Sequence, residues 1–100
     1  MKPDGPNRGM IEVTGTEAAV FLHNLATNDI KSLGTNQECE TFFCTATAKV
    51  IAHGWVRRMP PEGKRDLFYL DVDPGCADKL YQHLDRHLIS EDVTLRNLSE

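Results

Sequence analysis

One hundred residues are the size of one small domain, and a composition of 40% hydrophobic and 26% charged residues is that of an ordinary globular protein. A chain so short buries only about 60–65% of the surface it exposes when unfolded, which argues against a deep enclosed pocket built from these residues alone. The formal charge is −4, and the eleven basic residues are adjacent only at Arg57-Arg58 and Lys64-Arg65, so the basic stripe of a nucleic-acid binder is absent.

Cys39, Cys44 and Cys76 are odd in number and lack CxxC spacing. Free thiols in a reducing cytoplasm are therefore expected, rather than a disulfide framework. No apolar run approaches the ~20 residues of a membrane span. The polar start, Met1 to Gly9, contains two prolines and reads as neither signal peptide nor strand; residues 1–8 are expected to be flexible.

Met10 to Thr14 alternates and predicts a strand, broken by Gly15 and Thr16. From Glu17 to Ala26, Ala18, Phe21, Leu22 and Leu25 form the stripe of an amphipathic helix. Thr16 is the expected N-cap, with Glu17 complementing the helix dipole in the first turn. Thr27-Asn28-Asp29 ends that helix and is expected to cap a short helical turn through Leu33, closed by Gly34. After a polar turn at Asn36-Gln37, Glu38 to Thr47 and Lys49 to Arg58 read as two strands of a hairpin turning near Ala46 to Ala48.

Met59 to Asp66 holds Pro60-Pro61, Gly63 and four charges, the composition of an exposed loop. Leu67 to Val72 is the strongest strand signal. Asp73 then caps a second helix with Pro74 in its first position, and Ala77, Leu80, Tyr81, Leu84 and Leu88 form its apolar stripe. Glu91 and Asp92 read as a solvated turn before a last strand, Val93 to Leu98. The order β-α-β-β-β-α-β predicts one α+β domain over residues 1–100, a sandwich with its helices packed on one face of a mostly antiparallel sheet.

Four motifs in sequence order carry a family resemblance: Met10 to Ala18, entering a helix through Gly15; Phe21-Leu22; Thr27-Asn28-Asp29-Ile30; and a shortened Leu33-Gly34 turn. On these the chain resembles the N-terminal part of the glycine-cleavage T-protein (aminomethyltransferase) and YgfZ folate-binding superfamily. The resemblance implies half of that superfamily's folate-binding domain and a tetrahydrofolate ligand held by segments that include the two middle strands. It also implies a partner, either a missing second half or a second copy forming a homodimer.

The aminomethyltransferase branch of this family carries an acidic pair after an Asn-x-x-Gly turn. The matching stretch here has Ala48 for the Gly, and Ala52 and His53 for the pair. No carboxylate then stabilises a cationic iminium, so no catalytic residue is assigned and aminomethyl transfer by this chain is in doubt. The cysteine motif of the non-catalytic branch has no match in Cys39, Cys44 or Cys76. For folate, Phe43 and Trp55 offer stacking rings, His53 a hydrogen bond, and Lys49 a charge for an acidic tail. Each has a plainer reading: core aromatics for Phe43 and Trp55, a strand histidine for His53, a solvated turn lysine for Lys49. His83 and His87 lie four apart on a helix but lack further ligands, so no metal is assigned. A self-associating, protein-interaction half-domain is the alternative function.

Overall fold

The computed structural model describes residues 9–44 and 49–98. Residues 1–8, expected to be flexible, and the hairpin turn expected near Ala46 to Ala48 lie outside the described residues. The elements are β1 (Gly9–Gly15), α1 (Ala18–Leu25), β2 (Glu38–Cys44), β3 (Val50–Glu62), β4 (Arg65–Val72), α2 (Pro74–His87) and β5 (Thr94–Asn97). This is the α+β order expected from the sequence. The five strands form one sheet in the order β2-β3-β4-β1-β5, and every neighbouring pair is antiparallel.

Strand alternation sends one set of side chains towards the helices. Ile11 and Val13 of β1, Ala52 and Val56 of β3, and Phe68, Leu70 and Val72 of β4 meet Ala18, Phe21 and Leu22 of α1 and Ala77, Leu80 and Leu84 of α2 in one core. Ile30 and Leu33, from the segment after α1, extend that layer. Burying each large apolar side chain contributes roughly 1.5–3 kcal/mol, so the helical layer is where the stability lies. Among the described residues, no element packs over the other face of the sheet.

Several local expectations change. Thr16 does not cap α1: Glu17 holds the N-cap position, without a side-chain cap bond. The Thr16 hydroxyl instead donates to Asp92 Oδ2 at 2.7 Å. No helix forms through Leu33; Asp29 Oδ1 accepts from Ser32 N–H and Leu33 N–H reaches Ile30 O, which makes a tight turn. The stretch expected as a loop, Met59 to Asp66, is the far end of the β3–β4 hairpin, turning at Gly63-Lys64. Prolines 60 and 61 cannot donate to the ladder, and the register is irregular between Met59 and Glu62.

Asp92 is no idle solvated residue. Its carboxylate accepts from Thr16 N–H, the Thr16 hydroxyl and Arg65 Nη1, tying the β1–α1 turn, the β3–β4 hairpin and the approach to β5 together. Those bonds, Thr16's first, hold its carboxyl below the usual carboxylate range. Gly15 makes the junction possible. Its φ is +145°, and a Cβ there would lie 1.9 Å from Asp92 O.

Candidate functional site

The outward side chains of the sheet build the site. Each cross-strand pair points the same way, so the registers place residues in rows. One row is Glu40, Trp55, Asp71 and Met10, running from β2 to β1. The next is Glu38, Arg57, Tyr69, Glu12 and Arg96, from β2 to β5. Phe42 and His53 stand beside the first row, and Met59, Leu67 and Thr14 beside the second. This face mixes aromatic, sulfur-bearing and charged groups where a solvated sheet face normally carries small polar ones.

At its centre a shallow cavity of about 170 Å³ lies among Met10, Trp55, Arg57, Met59, Tyr69 and Asp71, with Glu38 at the rim. Asp71 is only 6% exposed although it sits on the side away from the helices. The indole N–H of Trp55 is buried and has no hydrogen-bond partner, an arrangement that costs roughly 1–3 kcal/mol unless an acceptor is supplied. Phe42 is 45% exposed and its ring lies 4.8 Å from that of His53. His53 Nε2 is 2.6 Å from Glu40 Oε2, both side chains about half exposed.

The four residues selected from the sequence separate on this framework. Trp55 lines the cavity, and His53 lies two residues away on the same strand face. Phe43 is 0% exposed and packs in the core on the helical side; its neighbour Phe42 is the one that faces outward. Lys49 is exposed just before β3, four residues beyond His53 and thus roughly 13 Å from it at the rise of a strand. Tyr69, Arg57, Met10, Met59 and Asp71 were missed by sequence reasoning. The period-2 alternation of β1, β3 and β4 was the signal that would have found them.

The remaining chemistry lies elsewhere. Cys39, Cys44 and Cys76 form no disulfide, and burial raises the Cys39 thiol above its ordinary value. His83 is 7% exposed with an unpartnered Nε2, and its ring meets that of His87 edge-on at 4.5 Å. No group of three or more metal-ligating side chains occurs among the described residues. No helix among them is long and apolar enough to cross a membrane.

Comparison with known proteins gives a consistent set of relatives. The chain is 33% identical over 95 residues to a chloroplastic protein of Arabidopsis thaliana that carries a transferase name, covering 92% of this chain and 20% of that protein. An aminomethyltransferase of Thermoanaerobacter sp. strain X514 is 33% identical over 97 residues, covering 97% of this chain and 25% of its own length. A mitochondrial iron–sulfur cluster assembly factor IBA57 homolog of Neurospora crassa is 28% identical over 94 residues, covering 92% and 21%. The chain thus spans about a fifth to a quarter of the curated relatives it matches. In fold it superposes on the glycine cleavage system aminomethyltransferase T of Bartonella henselae with a TM-score of 0.81 at 18% identity, over 92% of this chain and 24% of that one. No family model matches the chain.

Proposed function

Because the chain belongs to the glycine-cleavage T-protein and YgfZ superfamily and matches its N-terminal part, we propose that it supplies one wall of a tetrahydrofolate-binding pocket and does not itself transfer aminomethyl groups. The observation that carries this reading is the cavity on the sheet face that no described element covers. Trp55, Tyr69, Met10 and Met59 offer the flat apolar surface a pterin ring needs, and Arg57 stands at its edge for the acidic tail. The fit is to one side of such a ligand only. A cavity of about 170 Å³ is smaller than the ~300–1,000 Å³ of pockets that enclose drug-sized ligands.

Catalytic silence follows from the pair of positions that bears carboxylates in the transferase branch. Ala52 is 3% exposed and points into the core, while His53 faces outward. The carboxylate beside it, Glu40, is already held by His53 Nε2. A bound folate would bring the nitrogen atoms that carry one-carbon units; this chain's residues would orient it and shield it from water. The unpaired cysteines support a reducing compartment, the cytoplasm, as the place of action.

The test uses the single tryptophan. Titration of the full chain with folinate and with tetrahydrofolate is expected to release heat in calorimetry and to shift the one indole N–H resonance of the wild type, with Trp55→Leu abolishing the heat while the chain stays folded. Absence of heat and of any shift at millimolar ligand would remove folate from the proposal.

A further inference from the structure

The sheet face away from the helices carries a charge pattern with two-fold character. From β2 to β5 its central row reads Glu38, Arg57, Tyr69, Glu12, Arg96, fixed by the registers Glu38↔Arg57, Arg57↔Tyr69, Glu12↔Tyr69 and Glu12↔Arg96. The signs run negative, positive, neutral, negative, positive. A half-turn about an axis parallel to β4 and above Tyr69 reverses the order of strands and leaves each row opposite itself. Every acid in the row then meets an arginine: Arg57 lies over Glu12 of the second copy, and Glu38 over Arg96 of the second copy. The same rotation puts Trp55 over the second copy's Met10, and Leu67 over its equivalent.

We propose that the partner received by this face is a second copy of the same chain, related by that dyad. The face is large enough. Strands ~4.8 Å apart with residues every ~3.3 Å give a projected footprint of roughly 550 Å² per copy, about 1,100 Å² in total, which meets the ~1,000 Å² that a specific interface needs. Asp71, also near the dyad, is only 6% exposed and makes an interaction within its own chain. The pairing of Arg96 with Glu12 inside one chain, at 3.3 Å, would become a three-membered network with the second copy's Arg57.

The route through the sheet edge is obstructed over part of β2. Thr27 N–H donates to Phe42 O, Phe42 N–H donates to Thr27 Oγ1, and Asn28 Nδ2 donates to Glu40 O, so this edge is engaged at Phe42 and at the Glu40 carbonyl. Of the two edges, β2 and β5, the longer one is thus the less available for strand addition. The inference does not rest on folate binding, since it is tested without ligand; where both hold, the second copy is the opposite wall that the shallow cavity lacks.

Sedimentation equilibrium of the ligand-free full chain over micromolar to millimolar concentration tests it, with circular dichroism melts to establish that each variant folds. The wild type is expected to dimerise, and raising the salt concentration to weaken the dimer. Arg57→Glu sets glutamate against Glu12, and Glu12→Arg sets arginine against Arg57; each is expected to weaken association by ~100-fold or more, because like charges across an interface cost several kcal/mol. The double variant R57E/E12R restores opposite signs across the dyad and is expected to recover most of that loss. A wild-type chain that remains monomeric at millimolar concentration, or a folded double variant no better than the single ones, would overturn the dimer.

Discussion

Thr27 and Phe42 exchange two hydrogen bonds, each 3.0 Å long: the Thr27 amide donates to the Phe42 carbonyl, and the Phe42 amide donates to the Thr27 hydroxyl. A threonine in the turn after α1 thus imitates the missing neighbour of an edge strand. Its Oγ1 also lies 3.3 Å from that of Thr41, which is 2% exposed. Asn28 continues the imitation one step along the strand at Glu40 O. The family motif Thr27-Asn28-Asp29 therefore acts as a strand substitute as well as a turn.

Thr27→Val keeps the shape and removes the acceptor. We expect a loss of about 1–3 kcal/mol, the range for leaving a polar group unsatisfied, read from urea unfolding. Light scattering should rise on prolonged incubation, because the exposed Phe42 amide again offers an edge for pairing. Unchanged stability would mean that water replaces the hydroxyl without cost.

Phe42 and Phe43 are adjacent and should behave oppositely. Phe43→Ala empties a site in the core and is expected to cost roughly 3–5 kcal/mol. Phe42→Ala acts on an exposed ring beside His53 and should change stability by less than ~1 kcal/mol. Chemical denaturation of the two variants side by side checks this, and equal losses would place Phe42 in the core as well.

Gly15→Ala meets two obstacles, a φ of +145° and a backbone oxygen 1.9 Å from the new Cβ. Roughly 2–4 kcal/mol of destabilisation is expected for such a strained position, seen as a lowered thermal midpoint. A wild-type midpoint would show that the β1–α1 turn yields.

Acid should loosen the Asp92 junction. Its bonds to Thr16, then Arg65, lower the folded-state pKa beneath the unfolded value of 3.8. The contribution is therefore complete above about pH 4 and is lost as pH falls through the lower folded value. Asp92→Asn should lose that contribution at neutral pH and show a shallower acid limb in stability plotted against pH. Parallel acid limbs would dismiss the junction.

Histidine 83 acts in a different window. Burial first, and then His87, lower its folded pKa below 6.5. The unfolded chain therefore takes up a proton that the folded chain resists, and stability falls as pH drops below about 6.5 until the folded value is reached. Thermal midpoints of wild type and His83→Leu between about pH 8 and 5 check the sign. The variant should lose the part of the slope that His83 causes, since Leu has no proton to take.

Apolar periodicity and turn residues made the element order legible in the sequence. The stripe from Ala18 to Leu25 and the Asp73-Pro74 entry to α2 are local signals, and local chemistry decides them. Long-range partners were not legible. Thr16 reads as a helix cap because its usual acceptance of an N–H is a local event, yet its partner is Asp92, 76 residues away. The Met59 to Asp66 stretch reads as a loop from its prolines, yet pairing with β4 holds most of it in the hairpin. At the candidate site, Trp55 was visible as a rare residue type. Tyr69 and Arg57 were not, because only the β3–β4 register makes them neighbours. Phe43 and Phe42 differ by a single step of strand phase, which composition does not report.

The partial obstruction of β2 by Thr27 and Asn28 also bears on stoichiometry. Joining sheets edge to edge leaves a fresh edge after every addition, so it can propagate into an open filament. Contact through one face about a two-fold axis consumes its own surface and saturates at two. By occupying part of the backbone of one border strand, a two-residue turn biases this small sheet towards a finite count of neighbours, and away from runaway growth.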